Sequence, residues 1–271
     1  MLRDITLGQF FPGKTVVHSL DPRTKLVLTV VYITALFLAS GVFGYTLMLA
    51  VLITGIALSR IKLGVVLRGL RPILIIIMFT VVLNIFFVRG ENVLVEYHFI
   101  IITQEGLFTA LFMASRLIML IVGTFLLTYT TSPIALTDGL ERILSPLKRI
   151  KLPIHELAMM MSIALRFIPT IIEETDKTMS AQKARGADFE TGGLIKRANA
   201  IMPLIIPLFI SAFRRADELA TAMESRCYHG GEGRTRMKVL KAATRDYYAL
   251  VCGAVLIVAI VMLGRVEIWG L

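Results

Sequence analysis

From Leu26 to Ser59 the chain runs for 34 residues without a single Asp, Glu, Lys or Arg. As one helix this run would be about 51 Å long at about 1.5 Å per residue, against a hydrocarbon core of about 30 Å. It is too long for one crossing and too apolar for the surface of a soluble domain. The residues Ser40-Gly41 and Gly44 offer the turn that divides it, which gives two spans at about 26–40 and 44–59. Three more apolar runs follow, at about 72–88, 106–131 and 247–264. The expected fold class is therefore all-α, a polytopic membrane protein with about five transmembrane helices.

Composition supports that class. Of 271 residues, 56% are hydrophobic, and the mean hydropathy of +0.77 lies above that of ordinary soluble domains. A net charge of +10 beside such hydrophobicity raises nucleic acid as a partner, but the basic residues flank the apolar runs. Orientation of spans by positive loops explains them more simply, and no nucleic-acid partner is expected. Cys227 and Cys252 form no pair-spaced motif, which argues against a disulfide framework or a structural zinc site. The first 25 residues lack the apolar core and small-residue cleavage site of a signal peptide.

Lys and Arg also set the orientation. Arg3, Lys14, Arg23 and Lys25 precede the first span; Arg60, Lys62, Arg68 and Arg71 fall in the loop between the second and third. Eighteen more lie between Ser132 and Asp246, whereas Arg89 and Arg265 are alone on the other side. This asymmetry places the N-terminus and the long region in the cytoplasm and the C-terminus outside. The chain divides accordingly into a four-span membrane domain (1–131), a long cytoplasmic region inserted before the last span (132–246), and the last span with the C-terminus (247–271).

The cytoplasmic region has helical patterning of its own. Ser132-Pro133 reads as an N-cap with proline in the first turn, followed by an apolar face of Ile134, Leu140, Ile143, Leu144 and Leu147. After a break at Pro146 to Pro153, a helical pattern runs from about His155 to Arg185. Its first half is apolar except for the stripe Ser162, Arg166 and Thr170; beyond Ile172 it turns charged, with Glu173, Glu174, Asp176 and Lys177. A second arm repeats the plan. Ile201 to Phe213 is apolar, with Pro203 and Pro207 expected to bend it, and Arg214, Arg215, Asp217 and Glu218 follow. Each arm reads as a lever with one end in the membrane and the other offered to a soluble partner. Each ends in a small arginine motif: Ala184-Arg185-Gly186 in the first, Ser225-Arg226-Cys227 in the second. Guanidinium presents five donors in a planar fork, which suits a carboxylate or backbone carbonyls in a groove. The small neighbours let a partner approach closely, and Gly186 suits a left-handed helix end. An arginine at one helix end is commonly a simple complement to the dipole; two at the ends of matched arms favour a contact.

The ordered set His18-Ser19-Leu20-Asp21-Pro22-Arg23-Thr24-Lys25, Ala164-Leu165-Arg166-Phe167-Ile168-Pro169, Ala181 to Asp188, Arg214 to Ala220 and the second arginine motif carries a more specific likeness. The chain resembles the transmembrane (T) component of energy-coupling factor transporters, over nearly its whole length. The resemblance implies a non-catalytic coupling subunit of an ATP-driven importer of vitamins or transition metals. It implies two cytoplasmic ABC-type ATPase subunits and a membrane-embedded, substrate-binding S component as partners, in a prokaryotic cell membrane. It also implies that Arg185 and Arg226 seat in grooves of the two ATPases. The second motif departs from the family's Ala-Arg-Gly in having Ser225 and Cys227, which puts the backbone fit there in question.

Other residues are weighed against ordinary roles. Arg116 lies about ten residues into the fourth span, where a charge is costly and points to function, and Asn84 in the third span is a candidate partner; snorkelling or a structural pairing of Arg116 explains it equally well. Met159, Met160 and Met161 give an adaptable apolar surface suited to docking S components, although methionines more often fill cores. Gly230 to Arg234 lacks the Gly-Lys-Ser/Thr ending of a phosphate loop and reads as a hinge. His155-Glu156 lacks the second His of a zinc protease, and no cofactor or metal is expected. The competing class is a self-contained secondary transporter or channel, which calls for inverted repeats or several ionisable residues within the spans. A membrane enzyme ranks third, since no nucleophile, base and metal set is present. No Walker A motif occurs, so any ATP hydrolysis belongs to other chains.

Overall fold

Asp21 starts the first helix. Its carboxylate accepts the backbone N–H of Arg23 at 2.9 Å, and Pro22 fills the first helical position, where its missing N–H is not needed. The computed structural model describes residues 10–88, 90, 92–97, 100–150, 152–187, 189, 193–230 and 242–269. In order these form α1 (Pro22–Leu38), α2 (Gly41–Ser59), α3 (Leu63–Leu70), a 3-10 turn, and α4 (Leu74–Phe87). A hairpin of β1 (Val93–Tyr97) and β2 (Ile100–Thr103) follows, then α5 (Gln104–Thr130), α6 (Pro133–Leu144), a second 3-10 segment (Ser145–Ile150), α7 (Ile154–Ala184), α8 (Leu194–Glu224) and α9 (Thr244–Trp269). They group into two units, one holding residues 10–139 and 242–269, the other residues 140–230.

The first unit is organised around α5, against which α1, α2, α3 and α4 all pack, while α9 packs on α1 and α2. Its core is small: Ala35, Leu36, Met48, Leu52, Met119, Val122 and Ile260 are buried together. Most other large apolar side chains point outward, as Ile75 (77% exposed) and Phe87 (78%) illustrate. An outward apolar surface on this scale suits hydrocarbon rather than water. Glycine sets one close approach. The Tyr32 ring lies where a Cβ on Gly123 would sit, and the Tyr32 hydroxyl donates to Met119 O at 3.2 Å.

One end of this unit is closed by buried polar groups. Asp246, 2% exposed, accepts the backbone N–H of Asp21 at 2.8 Å and that of Ala243 at 2.7 Å, the latter being half of a capping box at the start of α9. Lys25 Nζ donates to Thr130 O at 2.8 Å and His18 O at 3.2 Å. The starts of α1 and α9 and the end of α5 are thereby tied at a single junction.

Five helices among the described residues are long and apolar enough to cross a membrane: Gly41–Ser59, Leu63–Phe87, Gln104–Thr130, Ile154–Ala184 and Thr244–Arg265. The set differs from the sequence reading at both ends of the length scale. Helix α1 has 17 residues, about 26 Å at about 1.5 Å per residue, and α7 enters because its first half is so apolar. The third apolar helix also starts earlier than 72. Residues read as a basic loop form α3, continuous with α4 through the 3-10 turn. Arg68 points outward there while Val66 and Leu70 are buried, so the charges mark a helix face rather than a break. Charge density alone does not distinguish the two.

The hairpin is absent from the sequence reading. β1 and β2 pair antiparallel from Val93↔Thr103 to Tyr97↔Ile100. The β-branched run Ile100-Ile101-Ile102-Thr103 beside Val93-Leu94-Val95 is the signal for it. Elsewhere the packed elements are all helical. The N-cap read at Ser132 is present, its Oγ accepting the N–H of Ala135 at 3.3 Å, and the break before α7 is the 3-10 segment.

Candidate functional site

In the second unit α7 and α8, each of 31 residues, pack on one another. Their bonds fix direction and register. Gln182 Nε2 donates to Pro203 O at 3.4 Å, and Arg215 Nη2 donates to Glu174 Oε2 at 2.6 Å, so rising numbers on α7 meet falling numbers on α8. A groove of about 210 Å³ lined by Phe167, Ile171, Leu208, Ala212 and Leu219 follows the same antiparallel register. Helix α8 is unbroken through Pro203 and Pro207.

Antiparallel pairing corrects the lever picture. The apolar half of α7 lies beside the charged half of α8, so both apolar ends cannot enter a membrane from the same side. The two arginine ends point opposite ways. Extending the register brings Arg226 level with about Met161 in the first half of α7, leaving Arg185 and Arg226 roughly 35–40 Å apart along the pair at about 1.5 Å per residue.

The two ends share one backbone design. At the end of α7 the N–H of Gly186 donates to Lys183 O at 3.0 Å and that of Ala187 to Gln182 O at 3.0 Å, with Gly186 left-handed at φ 88°. At the end of α8 the N–H of Cys227 donates to Glu224 O at 2.9 Å and that of Tyr228 to Met223 O at 3.0 Å, with Cys227 left-handed at φ 55°. Both are Schellman endings, and in both the arginine immediately precedes the left-handed residue. At Ser225-Arg226-Cys227 the backbone thus keeps this shape without glycine. Ala184, Arg185, Gly186, Ser225, Arg226 and Cys227 are all exposed, and neither arginine side chain has a hydrogen bond or ion pair among the described residues.

A cysteine in this conformation is strained by about 1–2 kcal/mol, partly offset by the roughly 0.5–1 kcal/mol of chain entropy that glycine loses on folding. Cys227→Gly is expected to raise stability by up to about 1 kcal/mol, read as a higher thermal midpoint of the purified chain. A lower midpoint would contradict the left-handed assignment.

Sequence reasoning does not reach the Arg215–Glu174 ion pair, both side chains about one-third exposed, or the His155 Nδ1 to Glu141 Oε1 pair at 3.1 Å. The first joins two arms whose register no local pattern predicts. The second spans the break between α6 and α7, where the sequence shows only that His155 lacks the second His of a zinc site. Among the described residues no group of His, Cys, Asp and Glu is placed to hold a metal.

The family model for the cobalt transport protein CbiQ matches residues 13–237. A protein of Clostridium kluyveri is 52% identical over all of both chains, and one of Thermosediminibacter oceani is 54% identical over 96% of this chain and 98% of its own. A third, from Lactococcus lactis subsp. cremoris, is 42% identical over 98% of this chain and its entire length. Each is named an energy-coupling factor transporter transmembrane protein, EcfT. The chain belongs to the EcfT family. It is a multi-pass membrane subunit of a transporter and not an enzyme.

In this EcfT-family chain the remaining candidates are Arg116 and Asn84 in the first unit and the methionines of α7 in the second. Arg116 reaches toward the α1–α2 turn, its Nη2 3.4 Å from Ala39 O and its guanidinium 5.5 Å from the Tyr45 ring centroid and 5.9 Å from that of Phe37. Asn84 does not pair with it; its Nδ2 donates to Thr80 O of its own helix at 2.9 Å. Met160 and Met161 are exposed and Met159 is half-buried. The hinge read at Gly230–Arg234 falls, beyond Gly230, outside the described residues.

Proposed function

We propose that this chain couples two cytoplasmic ABC-type ATPase subunits to a membrane-embedded substrate-binding S component in an importer of vitamins or transition metals. Arg185 would seat in one ATPase and Arg226 in the other. The observation that carries this reading is the arrangement of two identical helix endings, each with an exposed, unpaired arginine, at opposite ends of one antiparallel pair. One rigid pair can then span two copies of the same groove. As the ATPases approach and separate, the α7–α8 pair, pinned at Glu174–Arg215, would tilt as one body.

The apolar faces of that pair receive the S component. Met160 and Met161 on α7 and Met202, Ile206, Phe209 and Phe213 on α8 are all exposed, an unpartnered surface of flexible and aromatic side chains. Movement of the pair would be transmitted there to the subunit that holds the cargo. The purified complex of chain, two ATPases and S component should drive ATP-dependent uptake in liposomes. The chain reconstituted alone should neither hydrolyse ATP nor move solute, and uptake by it alone would overturn the reading.

The proposed topology has α1, α2, α3–α4, α5 and α9 as spans, with the N-terminus and the coupling region 132–246 cytoplasmic and the C-terminus outside. This topology leaves α7 out of the spans, a reading supported by Arg215 and Glu174 bordering the groove lined by its apolar residues Ile163, Phe167 and Ile171. In this topology the pair would lie along the membrane boundary instead. Cysteine reporters at Ser40, exposed in the α1–α2 turn, and at Trp269 are expected to react with an impermeant reagent from outside, and those at Lys62 and Lys196 only after the membrane is opened. Trp269 reacting on the same side as Lys196 would make the number of crossings even and reject this topology.

A further inference from the structure

Arg116 opens onto a cavity of about 350 Å³ at the α1–α2 turn, lined also by Phe37, Ser40, Gly41, Thr109 and Phe112. Its Nε is buried without a hydrogen-bond partner, its Nη2 contact with Ala39 O is long at 3.4 Å, and no carboxylate pairs with it among the described residues. Donor capacity is therefore left over beside an open space. The α2 N-terminus faces the same space. Gly41 lines the cavity, the N-cap Ser40 makes no side-chain capping bond, and the first turn of α2 has no acidic residue. A guanidinium and a helix N-terminus converging on one cavity present positive charge and N–H donors to an anion.

The apolar surroundings narrow the choice of anion. A second cavity of about 250 Å³ lies on the α2–α5 seam, lined by Val42, Leu49, Leu111, Ile118 and Met119. The Tyr45 and Phe112 rings, 5.0 Å apart, form a wall common to both. A free phosphate would use the first cavity and leave the second empty. A molecule with a phosphate joined to a hydrocarbon chain fills both.

We propose that a phospholipid docks here, its phosphate on Arg116 at the α1–α2 turn and an acyl chain along the α2–α5 seam. Burying a side chain's worth of hydrocarbon in the seam adds to the charge-assisted hydrogen bonds of the head. The site is independent of the coupling arms. It gives Arg116 a role that needs neither a substrate path nor the absent pairing with Asn84.

The test titrates the purified full-length chain in a neutral detergent with dioleoylphosphatidylglycerol, counting retained lipid by native mass spectrometry. One tightly held lipid is expected, with affinity falling about tenfold or more in Arg116→Gln, as for the loss of a hydrogen bond to a charged group. Thr46→Trp, at an exposed edge of the seam cavity, should weaken binding similarly while leaving Arg116 intact. This second variant decides the matter should Arg116→Gln fail to fold. Undiminished lipid retention in the folded variants would overturn the proposal. Displacement of the lipid by inorganic phosphate at comparable concentration would also overturn it, reassigning the site to a free anion.

Discussion

Arg185→Ala combined with Arg226→Ala is expected to abolish ATP-driven uptake and to weaken co-purification of the ATPase subunits, while the chain still inserts in the membrane. Both arginines are exposed and unpaired here, so neither holds the fold together. Seated in a partner groove, each would bury its charge against acidic or carbonyl acceptors. Losing one member of such a pair costs about 2–5 kcal/mol, or roughly thirtyfold to several-thousandfold in affinity. Each single substitution should cut uptake severely, because one ATPase is then uncoupled. Lysine should rescue poorly, since an ammonium cannot reproduce the planar fork. Arg234→Ala is the control, carrying the same charge change outside the two motifs. Retained uptake and retained ATPase binding in the double variant would reduce both arginines to helix-end charges. Because the two ends share their Schellman geometry, the expected losses are similar for Arg185 and Arg226.

The largest effect on stability is expected from Asp246→Ala. The carboxylate is buried, accepts two backbone N–H groups and lies near the buried ammonium of Lys25. Removing one partner of a buried charge pair costs about 3–5 kcal/mol. Thermal unfolding of wild type, Asp246→Ala and Asp246→Asn would show the loss. Wild-type stability in Asp246→Ala would mean that the junction does not bear on folding.

Local chemistry makes several elements legible in the sequence. The charge-free run from Leu26 to Ser59 forces a turn near Ser40 because hydrocarbon thickness limits one helix. Ser132-Pro133 and Gly186 mark a helix start and a helix end through the capping needs of their neighbours. The amphipathic change along α7 shows an arm with one apolar and one charged half. Where local signals conflict, the reading fails. The arginines of α3 read as a loop because charge density resembles a break, and the hairpin is hidden among apolar runs.

The sequence by itself determined the class of protein, the apolar helices, the two arms and the arginine at the end of each, because these follow from hydropathy, periodicity and capping over a few residues. Only the tertiary structure decided how the arms meet. Their antiparallel register rests on Glu174 with Arg215 and Gln182 with Pro203, pairs separated by 41 and 21 residues, and no local pattern encodes such pairings. That register turns two similar helix ends into opposite ends of one body. Long-range packing likewise turned Arg116 toward the α1–α2 turn rather than Asn84 and buried Lys25 beside Asp246. A side chain's partner depends on which helix lies alongside, and that is settled by the packing of whole faces.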